Sequence, residues 1–128
     1  MAFAGVQELA GMKLAEAAIN DAGGILDRKV ELVITDDTST PDQSILNIRK
    51  LAQQEQVVAI AGPGSSNSTV AGAEAASDLQ IPLLALPSTT GEIWEGPDRA
   101  EWGFGIAGSG AALGYGCMAS AVEAEAAL

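Results

Sequence analysis

Residues 57–69, VVAIAGPGSSNST, constrain the architecture more than any other stretch. A short apolar run bounded by Gly and Pro reads as a strand buried on both faces, and the small polar residues after the corner read as the first turn of a helix. A strand that delivers the chain through a tight corner into a helix is half of a βαβ unit. Residues 83–93, LLALPSTTGEI, repeat the plan, with an apolar run, a proline, and then Ser88, Thr89 and Thr90. Two such corners on successive parallel strands fall on one edge of a sheet, where open α/β sheets bind their ligands.

The rest of the chain supports alternation. Leu9, Met12, Ala15 and Ile19 recur at helical spacing between Gln7 and Ala22, with Glu8, Lys13 and Glu16 left for solvent, and Gly23 and Gly24 end the helix. Residues 29–35, KVELVIT, read as a strand that ends in Asp36 and Asp37. Adjacent residues of an extended chain point to opposite sides, so these carboxylates read as turn formers rather than as a metal pair. Thr40 reads as an N-cap, Pro41 as the first helical residue, and Gln43 as the partner in a capping box. The helix continues to Gln54, with Ile45, Ile48 and Ala52 inward and Arg49 and Lys50 outward. Residues 94–101 read as an exposed loop, residues 102–108 as a further short strand, and the alanine-rich stretch from Ser109 as a helix. The fold class is therefore α/β, a three-layer αβα parallel sheet. A chain of 128 residues holds one domain of this kind.

Composition removes whole classes of chemistry. The chain has no histidine, so it can build neither a Ser-His-Asp triad nor a Cys-His dyad nor a histidine-ligated zinc site. Its only cysteine, Cys117, sits among alanine and glycine with no basic neighbour, which reads as a small buried residue. A formal charge of −11 and the lack of any basic stripe argue against nucleic acid as a partner. No run of about eighteen apolar residues marks a membrane span. The opening MAFAGVQELAG has neither the basic start nor the apolar core of a secretion signal.

What remains is non-covalent capture. Backbone N–H groups at a helix start, backed by the helix dipole, hold a carboxylate, and Ser65, Ser66, Ser68 and Thr69 at the first corner add hydroxyls, as Ser88, Thr89 and Thr90 do at the second. Helix capping explains one polar residue in each corner, and GPGSSN also shares part of a dinucleotide-binding pattern. In that pattern Asn67 stands where a third glycine belongs, and no acidic residue follows on a next strand. A small α/β nucleotide- or anion-binding enzyme domain is the alternative from another class.

Three segments together carry a family resemblance: AAINDAGGILDRKVELVITDDTSTPDQS, then VVAIAGPGSSNST, then IPLLALPSTTGEI. In this order and spacing they resemble the N-terminal lobe of type I periplasmic binding proteins, the branched-chain amino acid receptors of ABC importers. The resemblance covers residues 3–115. It implies that residues 1–128 form a partial N-terminal ligand-binding lobe, without the family's first strand and second lobe. It also implies a non-catalytic receptor outside the cytoplasm, needing no cofactor or metal, that captures an amino acid or similar small carboxylate or amide for an ABC permease. A ligand-sensing receptor lobe of the same fold is implied equally. By position, Ser66 would bond the ligand carboxylate, and Ser88 and Thr90 would hold the ammonium and carboxylate, with Ser65, Asn67 and Thr89 flanking them. Ser39 and Ser65 stand where some members have a disulfide. Residues 104–110, FGIAGSG, lack the arginine, proline and acid that relatives place there.

Overall fold

Ile48 and Leu51, one helical turn apart, are both buried, and that stripe sets the plan of the molecule. It belongs to α2 (Pro41–Gln53), which packs against α3 (Ser66–Asp78) in a computed structural model that describes residues 2–86, 88, 93 and 100–106. The remaining elements are α1 (Ala2–Asp21), β1 (Ile60–Ala61), β2 (Leu83–Ala85) and β3 (Gly103–Gly105). The three strands form one parallel sheet in the order β1-β2-β3, with Ile60 beside Leu83 and Leu83 beside Gly103. The short strand expected within 102–108 is β3.

Helices α2 and α3 cover one face of this sheet. The side chains between them are small: Ala73, Ala75 and Ala76 of α3 meet Ile60, Leu83 and Ala85 of the strands, with Ile81 and Ile93 completing the core. Small residues let the layers approach closely. A Cβ on Gly72 of α3 would stand 2.7 Å from Ile48 Cδ1 of α2, so the helix contact depends on that glycine. On the opposite face, Leu84 and Phe104 are exposed among the described residues. Period-two alternation accounts for the contrast, since Leu83 and Leu84 are neighbours in sequence and point to opposite faces.

Helix α1 begins at Ala2, five residues before the start that its apolar stripe suggested, and ends at Asp21. Its C-terminus turns through Gly23 and Gly24 into a tight hairpin in which Ile25 and Arg28 exchange backbone bonds of 2.8 and 3.0 Å. Gly24 has φ +85°, and a Cβ there would lie 2.1 Å from the Arg28 carbonyl oxygen, so only glycine fits. Among the described residues no helix is long and apolar enough to cross a membrane.

The strand expected at residues 29–35 is a correction. Among the described residues the segment pairs with no strand; its backbone is held by side chains of α1 instead. Asn20 Nδ2 donates to the Val30 carbonyl at 2.8 Å, the Val30 N–H donates to Asn20 Oδ1 at 2.8 Å, and the Leu32 N–H donates to Glu16 Oε1 at 3.1 Å. A strand exists only through a neighbour's ladder, and the described strands end at β1 on that side. Val33 and Ile34 stay exposed as a result. Glu16, expected in solvent, is drawn inward by this bond.

The capping box expected at α2 is not formed. Thr40 occupies the N-cap with extended backbone and Pro41 follows at the first helical turn, as read, but the Thr40 hydroxyl donates to the Asp37 carbonyl at 3.2 Å and caps nothing. Gln43 spends its amide on Asn47 Oδ1 at 2.9 Å. Asp36 and Asp37 are the turn formers expected: their Oδ1 atoms accept the Thr38 and Ser39 N–H groups at 2.8 and 2.9 Å. Of the exposed loop expected at 94–101, residues 94–99 lie outside the described residues, as do the helix from Ser109 and Cys117; Glu101 is exposed and Ala100 half-buried.

Candidate functional site

Strand β1 delivers the chain to Gly62, whose N–H donates to the Leu84 carbonyl at 2.9 Å and whose φ of +107° turns the backbone out of the sheet. The Gly62–Pro63 peptide is cis. Ser65 then takes extended backbone as the N-cap of α3, and its hydroxyl accepts the Ser68 N–H at 3.3 Å. Thr69 braces the corner from beneath. Fully buried, it places its hydroxyl 2.7 Å from the Ser65 carbonyl and 3.0 Å from the Pro63 carbonyl.

Thr69→Val removes this brace while keeping shape. The expected cost is about 1 kcal/mol, because one hydroxyl donor is lost while the Ser65 carbonyl keeps the Thr69 N–H at 2.8 Å. Denaturant unfolding of the two chains measures it; an equal midpoint would show that the brace contributes nothing.

The second corner reaches the first. Beyond β2, the Ser88 N–H turns back to the Leu86 carbonyl, and the Ser88 hydroxyl lies 3.4 Å from the Ser66 hydroxyl across 22 residues of sequence. Ser88 is buried and Ser66 is half-buried at the first position of α3. The structure therefore brings Ser65, Ser66 and Ser88 together at the carboxyl ends of adjacent parallel strands. Their roles differ: Ser65 spends its hydroxyl on the cap, whereas among the described residues Ser66 makes only the long contact to Ser88. Asn67 is exposed beside them, and Thr89 and Thr90 lie outside the described residues.

Two of the hydroxyls counted as possible donors to a ligand are sealed in the core. Ser68 and Thr69 are both 0% exposed, because the third and fourth positions of α3 turn toward the sheet. Thr69 braces the corner, the Ser68 hydroxyl has no hydrogen-bond partner among the described residues, and neither faces the opening.

The electrostatics of the corner come from backbone and from α1. No acidic side chain stands in the first turn of α3, so the positive end of the helix dipole is uncompensated by its own helix. Glu8 of α1 lies against the corner instead: a Cβ on Gly64 would stand 3.0 Å from Glu8 Oε2. Partial burial, and then the nearby Asp37 carboxylate, hold the Glu8 carboxyl above the ordinary glutamate range. Sequence reasoning left Glu8 in solvent, since its place beside the apolar stripe gives no sign of a neighbour 56 residues away.

A family model described as periplasmic binding protein matches residues 1–126. An amino acid binding protein of Pseudomonas aeruginosa is 32% identical over 91 residues, covering 71% of this chain and 24% of its own length. Among solved structures, the branched-chain amino acid transporter substrate binding protein LivJ of Streptococcus pneumoniae, in complex with isoleucine, superposes with a TM-score of 0.76 and 28% identity. That match covers 83% of this chain and 30% of LivJ. A substrate-binding protein of Desulfitobacterium hafniense in complex with Leu shares the fold, with a TM-score of 0.70 at 24% identity over 77% of this chain and 29% of that one. The matched part of the chain thus spans 24–30% of the length of these relatives.

Proposed function

Because the chain belongs to the periplasmic binding protein family, we propose that it forms the wall of an amino-acid cleft in the substrate-binding component of an ABC importer. The observation that carries the reading is the meeting of Ser66 and Ser88 at 3.4 Å, which joins two polar corners into one surface at the sheet's carboxyl edge. Ser66 donates its hydroxyl to the ligand's carboxylate, with the start of α3 behind it. Ser88 and Thr90 hold the ammonium and the second carboxylate oxygen, and Ser65, Asn67 and Thr89 border them.

No reaction is needed for this task. Hydroxyls and backbone groups orient a charged small molecule and release it unchanged, and the ligand is a branched-chain amino acid or a similar small amino acid or amide. Complexes of LivJ with isoleucine and of the D. hafniense protein with leucine support that class. The working place is outside the cytoplasmic membrane, where such receptors hand cargo to the permease of their transporter. Residues 1–128 act as one partial lobe in this scheme, with the opposing lobe enclosing the ligand's other side.

Thermal unfolding in the presence of amino acids and nucleotides tests the proposal. L-leucine or L-isoleucine at tenfold excess over Kd is expected to stabilise the fold by about 1.4 kcal/mol. Stabilisation by nucleotides with none from amino acids would replace this reading with the nucleotide-binding one.

A further inference from the structure

Glu8 stands at the corner by geometry, not by sequence. From α1 it reaches Gly64, the residue before the N-cap, so that a Cβ on Gly64 would stand 3.0 and 3.3 Å from its two carboxyl oxygens. Its Oε1 is enclosed and has no hydrogen-bond partner among the described residues. Asp37 Oδ2 is enclosed and unpartnered as well, while its other oxygen accepts the Ser39 N–H. Ionised carboxylates are acceptors only, and a buried acceptor without a donor costs free energy. A proton on Glu8 turns one of these acceptors into a donor.

We propose that Glu8 is a positioning residue of the carboxylate site: it carries a proton when the α3 corner receives an anionic ligand, so that binding takes up a proton. The proposal rests on the reading of Ser66 as the carboxylate donor. An ionised Glu8 and a ligand carboxylate compete for the same positive helix end, and they repel each other in a partly buried place. A neutral Glu8 removes the repulsion and keeps its packing against Gly64.

The surrounding charges favour this direction. The Asp37 carboxylate, in the turn before α2, disfavours a negative charge on Glu8; Asp36, next to it, has Oδ1 bonded to the Thr38 N–H. The first turn of α3 carries no acidic side chain. Among the described residues the one ion pair, Lys50 to Glu55 at 3.8 Å, lies at the far end of α2 and leaves both carboxylates without a cation. Since the ligand binds the protonated form, affinity is full below the Glu8 pKa of the free protein. It falls as pH rises through that value, by up to about tenfold per pH unit.

Calorimetric titration of the chain with L-leucine, from mildly acidic to mildly alkaline pH, reads this coupling. Wild type is expected to lose affinity as pH rises, and Glu8→Gln to show an affinity that no longer varies across the same range. Carbon-13 titration of the Glu8 carboxyl in the free chain is expected to give a midpoint above the ordinary glutamate range, moving down in Asp37→Asn. A pH profile of Glu8→Gln that follows wild type, or a Glu8 midpoint in the ordinary range, overturns the proposal. Absence of leucine binding by both chains at every pH instead overturns the reading of the site, and the coupling with it.

Discussion

Leu83→Ala is expected to destabilise the fold by about 3 kcal/mol, the usual cost of a buried Leu→Ala change with its residual cavity. Leu83 is 0% exposed at the first position of β2, the central strand of the sheet, where it sits between Ile60 and Gly103 and faces the alanines of α3. Those alanines have no side-chain length with which to collapse into the space. For a domain of this size the change lowers Tm by roughly 10 °C. Leu84→Ala is the control, because the same side chain on the opposite face is 37% exposed and costs less than about 1 kcal/mol. Urea and thermal unfolding of both variants measure the difference. Equal losses would mean that the two faces of β2 have been assigned wrongly.

The second large effect is on binding. Ser66→Ala is expected to weaken amino-acid binding by about 10- to 100-fold, the range for a hydrogen bond to a charged partner. Stability should barely change, because among the described residues the hydroxyl of Ser66 makes only the 3.4 Å contact with Ser88 and caps nothing. Ser65→Ala reverses the pattern: the cap to Ser68 is lost at a cost of about 1 kcal/mol, and the ligand hydroxyl remains. Calorimetry with L-leucine and denaturant unfolding on the same preparations separate the two residues. A Ser65→Ala change that abolishes binding while Ser66→Ala leaves it intact would exchange their roles.

Much of this architecture was legible without coordinates, and the reasons are local. The apolar stripe of α2 reads directly from Ile45, Ile48 and Ala52, and the corner at Gly62 from the glycines and proline that break the strand. Boundaries were less legible. Residues 57–59 read as strand along with Ile60 and Ala61, yet only the latter two have a ladder partner in β2. Residues 29–35 have the composition of a strand and none of its bonding, since composition describes what a segment favours while pairing depends on what lies beside it.

The candidate site divides in the same way. Residue types at the two corners pointed to anion capture, and the resemblance of three segments pointed to the family that the 1–126 match establishes. Which hydroxyls are available was decided by helix geometry. Ser66 stays half-buried at the opening, whereas Ser68 and Thr69, two and three positions later, rotate into the core at 100° per residue.

By itself the sequence determined the α/β class, the parallel corners and the exclusion of histidine-dependent chemistry, because periodicity, turn chemistry and residue inventory are properties of the chain alone. Only the tertiary structure decided that Ser66 and Ser88 meet, that the Glu8 carboxyl lies over Gly64, and that residues 29–35 lean on α1 instead of a strand. Each of these joins residues far apart in sequence. Such contacts follow from how helices and strands pack, and no local pattern records them.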